Sequence, residues 1–191
     1  MISLEPDNIY HIYNRANGRE RLFLDEGNYF YFLEKYKIHI APIADTYCYC
    51  LMPNHFHFLV RIKDERELMT AFSKFQSLEK LISKQFSNFF SSYTQAFNKQ
   101  QTRKGSLFMK NFKRKRITDE KYLRKIVHYI HYNPIESKLC DRINGWRFSS
   151  YNSLLDTQPS FLVKKEVMDW FEDKENFIFC HSYPPGETGI E

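Results

Sequence analysis

No apolar run in this chain approaches the roughly 20 residues that a membrane-spanning helix needs, which excludes a helical membrane protein. Cysteine is scarce: 4 in 191 residues, too few and too scattered for a disulfide scaffold. Cys48 and Cys50 have strand spacing, not the Cys-x-x-Cys of zinc ribbons or redox sites, and Cys140 and Cys180 stand alone. Buried free thiols are the expectation. Internal repeats and low-complexity tracts are absent as well. The segment from Met1 to Asp7 is acidic and lacks the apolar core of a secretion signal, so a soluble, cytoplasmic protein is expected.

What is present is aromatic and basic. Phe (18) and Tyr (13) supply ample burial for one domain, or one domain with an appendage. The net charge is +5 and the isoelectric point is near 8.9, which suits a polyanionic partner without requiring one.

The segment His55-Phe56-His57-Phe58-Leu59-Val60-Arg61-Ile62 is rich in aromatic and branched residues and reads as a strand. Side chains alternate along a strand, so His55 and His57 leave one face while Phe56, Phe58 and Val60 leave the other. Two imidazoles on one rigid face can serve as ligands of a divalent metal. A half-exposed strand that happens to carry two histidines is the plainer alternative.

Around it, residues 9–14 read as a first strand running into a polar loop with an Asn17-Gly18 turn signal. A helix is expected from about Asp25, with Tyr29, Phe32, Leu33 and Tyr36 at helical spacing and Pro42 beyond its end. Thr46 to Leu51 is a second strand, and Met52-Pro53-Asn54 turns it into the histidine strand as a hairpin. From Glu65 to about Phe97, residues Leu68, Ala71, Phe72, Phe75, Leu78, Ile82 and Phe86 predict a helix. Ser106 to Ile117 looks extended. A helix capped by Thr118 or Asp119 carries Leu123, Ile126, Val127 and Ile130, and should end near Asn133 because Pro134 disfavours a helical residue before it. This order predicts an α+β, ferredoxin-like antiparallel sheet with helices packed on one face. Residues 1–158 would form the domain. Residues 159–191 would add one short amphipathic helix (Val167, Met168, Trp170, Phe171) and a tail rich in Pro and Gly.

The last helix of the domain carries Tyr129 and Asn133, four residues apart and therefore on one face. If that face looks onto the histidine strand, Asn133 can offer its carbonyl oxygen as a third metal ligand, and Tyr129 can point its phenol at whatever the metal holds. Such an arrangement suits phosphodiester cleavage: the metal polarises a phosphate oxygen and tyrosinate attacks phosphorus. Phenols ordinarily ionise near pH 10, so the nucleophile needs help at neutral pH. Tyr129 could equally be a boundary aromatic, Tyr132 is not excluded as the nucleophile, and Asn133 before Pro134 also looks like a helix N-cap.

Residues 52–60, Met-Pro-Asn-His-Phe-His-Phe-Leu-Val, resemble the His-hydrophobe-His signature of the single-tyrosine HUH transposases that act on single-stranded DNA. Tyr129-Ile130-His131-Tyr132-Asn133-Pro134 resembles the nucleophile helix of their REP-associated tyrosine transposase branch. So do the segments 10–15, 105–108 and 146–151, in the same order over roughly residues 8 to 155. The resemblance implies an HUH-endonuclease fold, Tyr129 and not Tyr132 as nucleophile, and His55, His57 and Asn133 as ligands of Mg2+ or Mn2+. In conjugative relaxases with the same metal pair the tyrosine precedes the histidines; here it follows them.

Lys110, Lys113, Arg114, Lys115 and Arg116, interleaved with Phe108 and Phe112, form the densest positive segment and are candidate DNA contacts. A solvated edge strand with charged gatekeepers is the alternative. Asn14, Arg15, Asn17, Arg19 and Arg21 form a second polar-basic segment that could read a hairpin or its flank.

The leading reading is a metal-dependent transposase or endonuclease. It would cleave and rejoin single-stranded or hairpin-forming DNA through a 5′-phosphotyrosine, with no nucleotide cofactor. A domesticated, non-catalytic DNA- or RNA-binding protein of the same fold is the alternative. The oligomeric state stays open between monomer and homodimer. A third reading closes a zinc site from Cys48, Cys50, His55 and His57. It requires a four-residue hairpin turn that sets Cys50 opposite His55 and Cys48 opposite His57.

Overall fold

The computed structural model describes residues 3–74 and 77–186. Among them, β1 (Ile9–Arg15), β2 (Ala44–Met52), β3 (His55–Ile62) and β4 (Lys113–Ile117) form one sheet in the order β2-β3-β1-β4. Every neighbouring pair is antiparallel. Helix α1 (Glu26–His39) joins β1 to β2, and α2 (Glu65–Ala71) and α3 (Leu78–Gln100) join β3 to β4. This is the expected ferredoxin-like α+β arrangement. Helix α4 (Glu120–Glu136) follows, then a 3-10 turn (Ile143–Gly145), α5 (Tyr151–Leu155), α6 (Lys164–Trp170) and α7 (Lys174–His181). Among the described residues no helix is long and apolar enough to cross a membrane.

The order of elements suggested helices on one face of the sheet; α4 adds a second covered face. On one side Phe56 and Phe58 of β3 meet α1: the Phe56 and Phe32 rings are 5.3 Å apart and Phe58 stacks on Tyr36 at 4.1 Å. Phe32 in turn packs on Phe89 of α3 at 4.7 Å. On the other side α4 crosses the sheet, with the Tyr129 ring 5.7 Å from His57. The reason is that β2 and β3 are buried along both faces. A sheet without a wettable face must be covered twice.

Four local expectations also change. The helix over residues 65–97 breaks: Phe72 leaves helical geometry, and Ser77 opens α3 by accepting the Lys80 N–H. Phe75 lies outside the described residues. The extended stretch is a strand only from Lys113, with residues 106–112 tied to β1 through the Ala16–Phe108 bridge. Helix α4 runs through Pro134 instead of ending at Asn133. The C-terminal segment holds two helices, the second capped by Asp173, and buries Val167, Phe171 and Phe177 against the rest.

The hairpin turn has two residues, Pro53 and Asn54, because Met52 pairs with His55. Cys50 therefore faces His57, and Cys48 pairs with Leu59 beyond a bulge at Thr46/Cys48. Among the described residues no three His, Cys, Asp or Glu side chains converge for a metal, so the four-ligand zinc alignment does not form.

Candidate active site

β3 carries His55 and His57 on the sheet face that looks toward α4. The central strand β1 adds its own residues there, because directly paired residues of an antiparallel ladder share a face: Tyr13 lies opposite His57 and Arg15 opposite His55. His11, diagonal to His57, reaches across so that its Nε2 is 2.9 Å from His57 Nδ1. The His11 ring stacks on Tyr13 at 4.8 Å and lies nearly coplanar with His57, centroids 5.1 Å apart, as their hydrogen bond requires.

Helix α4 starts where the Asp119 side chain accepts the Lys121 N–H, and its apolar stripe of Leu123, Ile126, Val127 and Ile130 is buried. This fixes the rotation of the helix and turns Tyr129 toward the histidines. Its ring meets His57 edge-on at 5.7 Å and His11 at 6.2 Å. Tyr132 instead sets its ring against His128, 6.0 Å away. Asn133 lies inside the helix, so it is not an N-cap. Its Nδ2 donates to the Tyr129 carbonyl at 2.8 Å, and its side chain also hydrogen-bonds His55.

Both histidines use Nδ1 within the protein: His55 with Asn54 Oδ1 at 2.7 Å, His57 with His11. Nε2 is the remaining nitrogen of each: at His55 it is the one that meets Asn133, and at His57 it makes no hydrogen bond among the described residues. Burial holds both imidazoles below the usual histidine range. At His55 the Asn133 hydrogen bond opposes that shift and Arg15 adds to it; at His57 the neighbouring His11 and His55 add to it. Neutral imidazoles with one nitrogen committed, beside an amide side chain, fit a divalent cation that accepts N and O ligands.

No model of a known protein family matches the chain. A protein of Haemophilus influenzae, provisionally named a REP-associated tyrosine transposase, is 26% identical over 113 residues, covering 56% of this chain and 59% of that protein. The solved structure of a REP-associated tyrosine transposase bound to a REP hairpin superposes with a TM-score of 0.61. That match is 13% identical and covers 81% of this chain and 83% of the other, a likeness of fold. The chain is thus similar to a REP-associated tyrosine transposase over part of its sequence, and to another in fold.

The residues that the basic segments suggested as DNA contacts divide between the two faces. Lys113 pairs with Tyr13 and so faces the histidine side with Arg15, both exposed. Arg114 pairs with Ile12 on the other side, its guanidinium 4.2 Å over the Phe112 ring, and Arg116 pairs with Glu5 at 3.5 Å. Arg19 and Lys110 are exposed in loops. Asn14 differs from the exposed contact expected: it is mostly buried and braces the 106–112 segment by donating to the Met109 carbonyl at 3.1 Å, at the wall of a groove. A groove of about 770 Å³, lined by Phe86, Phe90, Phe112 and Arg114, lies on that second face, away from the histidines.

Two participants escaped sequence reasoning. His11 shares the parity of Tyr13 along β1, a signal visible once the strand pairing is known. The buried contact of His131 with His181, 3.0 Å apart, joins residues 50 positions apart with no local pattern.

Proposed function

We propose that this protein cleaves and rejoins single-stranded, hairpin-bearing DNA through a covalent 5′-phosphotyrosine on Tyr129, with His55, His57 and Asn133 holding Mg2+ or Mn2+. The observation that carries the reading is the convergence of Tyr129 on the His55–His57 face, its ring 5.7 Å from His57. The likeness to a transposase solved with a REP hairpin supports DNA hairpins as the substrate class. The chain spans 59% of the length of its Haemophilus influenzae relative, whose whole activity is therefore not carried over by the match itself.

A cation held by these residues would polarise a non-bridging phosphate oxygen and offset the charge that grows there. The Tyr129 oxygen forms the new bond to phosphorus and gives up its proton. The bond from phosphorus to the 3′ oxygen breaks, and that oxygen leaves as a hydroxyl after taking a proton. Rejoining reverses the exchange, with a 3′ hydroxyl displacing Tyr129. Bond energy is conserved in the phosphotyrosine, so no nucleotide cofactor is needed, and the work would be done in the cytoplasm. Arg15 and Lys113 on the same face are suited to the flanking phosphates.

The test mixes the protein with oligonucleotides from its own genomic flanks and Mg2+ or Mn2+, then resolves covalent adducts on a denaturing gel. An adduct should form and disappear in Tyr129→Phe while DNA binding persists. Binding without any adduct in the wild-type protein would favour the non-catalytic reading. Loss of the adduct in Tyr132→Phe but not Tyr129→Phe would move the nucleophile by almost one helical turn.

A further inference from the structure

His11 is fully buried on β1, and its one hydrogen bond to a side chain is the 2.9 Å contact from Nε2 to His57 Nδ1. A single proton sits in that contact, and its owner decides what His57 can do. If His11 holds it on Nε2, the neutral His57 must carry its own proton on Nε2, and that nitrogen has no lone pair to give. If His57 holds it on Nδ1, its Nε2 lone pair is available. We propose that His11 is a positioning residue for the metal centre: its Nε2 accepts the His57 Nδ1 proton and fixes His57 in the tautomer whose Nε2 can bind the cation.

Two observations support this. First, the neighbouring rings hold His11 in place: it stacks at 4.8 Å on Tyr13 with 23° between planes, meets the edge of Tyr129, and lies edge to edge with His57, centroids 5.1 Å apart and planes within 14°. That nearly coplanar arrangement is the geometry of an in-plane Nε2···Nδ1 hydrogen bond and keeps the His11 Nε2 aimed at one atom. Second, the other ring nitrogen, Nδ1, is buried without a hydrogen-bond partner, so among the described side chains His57 is the one the His11 ring is bonded to. Outer-shell partners of metal-bound histidines commonly fix tautomer and ring orientation in this manner.

The inference rests on His57 being a ligand, and the experiment separates the two. Mn2+ affinity is measured by calorimetry on wild type, His57→Ala, His11→Phe and His11→Gln, with thermal melting of each. The side-chain nitrogen signals of His57 are read by NMR in wild type with and without Mg2+. Phe keeps a ring in the stack but removes the acceptor; Gln can restore an acceptor near the Nε2 position. The expected result is a roughly 10–100-fold loss of Mn2+ affinity in His11→Phe, recovered mostly by His11→Gln. The His57 proton should be on Nδ1 when Mg2+ is bound. Equal affinity in wild type and His11→Phe overturns the positioning role while leaving the His57 ligand intact. Equal affinity in wild type and His57→Ala overturns the ligand, and this inference with it. Equal loss in the Phe and Gln variants in step with their melting temperatures would make His11 a packing residue. If either His11 variant fails to fold, the His57 tautomer in wild type decides: a proton on Nε2 with Mg2+ present overturns the proposal.

Discussion

Two histidine clusters lie on either side of α4's attachment to the protein, and they are built on opposite principles. Behind the helix, every ring nitrogen of His131 and His181 is used. The His181 Nδ1–H donates to the Phe177 carbonyl at 2.7 Å, so its Nε2 must accept from His131 Nδ1–H at 3.0 Å. His131 Nε2 then accepts from the Ser150 hydroxyl at 2.8 Å, whose oxygen takes the Tyr49 N–H. A carbonyl at one end fixes every proton along the chain, and nothing is left over. On the sheet face, His55 and His57 each commit Nδ1 to the protein, His55 is bonded further only to Asn133 of the same site, and His57 keeps Nε2. A closed network buys a single packed arrangement; an open one keeps capacity for a ligand. The difference separates a structural histidine from a chemical one when burial alone would not.

The sharpest way to break this contrast is to delete one member of each cluster. His57→Ala should remove all adduct formation with a modest change in melting temperature. His131→Ala empties a fully buried site and strands Ser150 and His181, at a cost of roughly 3–5 kcal/mol. Denaturant melts alongside the gel assay check both, and a His131→Ala protein as stable as wild type would dissolve the distinction.

Acid tests the closed cluster next. Burial is the main cause that holds both His131 and His181 below the ordinary histidine value, His181 at about 3. A lowered folded pKa means that the unfolded chain binds protons first on acidification. The stability these groups contribute is therefore whole above about pH 6.5 and falls as pH drops toward 3. Each histidine steepens that fall by up to about 1.4 kcal/mol per pH unit. His181→Gln should flatten the acid limb of a stability profile by one histidine's share; an unchanged slope would show that these rings take up no protons on unfolding.

A smaller effect is expected from Asn133→Ser. Because Asn133 is within α4, capping is no longer an alternative, and the loss of its bond to the Tyr129 carbonyl should cost no more than about 1 kcal/mol. The variant should need more Mn2+ for the same cleavage. An unchanged metal titration would remove Asn133 from the ligand set.

Least of all, the effect of neutralising DNA contacts should depend on the face. Replacing Arg15 and Lys113 by Gln should lower the slope of log affinity against log salt by roughly 0.7 per contact. The same change at Arg114 and Arg116 should do less, since one lies over Phe112 and the other pairs with Glu5. Equal slopes from the two pairs would show that the DNA path ignores the division of the strand.

The alternation that put His55 and His57 together was fully legible, because period-two patterning in β3 is local. So was the ferredoxin-like order, which follows from the sequence of elements. The second covered face was less so, since a strand buried on both sides looks like any apolar run. The end of α4 was misread for a physical reason: Pro134 signals a stop, yet it lies inside α4 two residues before the helix ends, giving up the bond its N–H would make to the Ile130 carbonyl without ending the helix at Asn133. The true stop is a Schellman closure, with Leu139 N–H on the Pro134 carbonyl at 2.8 Å and Lys138 N–H on the Ile135 carbonyl at 2.9 Å. Lys138 takes the left-handed conformation (φ 56°) that glycine usually marks, so no glycine announced it. The Asn14 brace was hidden because its partner, the Met109 carbonyl, is 95 residues away.

The bond between His181 and His131 also sets an order of events during synthesis. Chains emerge amino end first, and the sheet with its two histidines can assemble once β4 has been made. The helix bearing Tyr129 gains its rear support only when residue 181 arrives, 64 residues after β4 ends at Ile117. A nascent chain would thus carry a formed histidine face before its tyrosine is held firmly against it. Tyr129 and the histidine face are braced together only after the residues that follow β4 have been made.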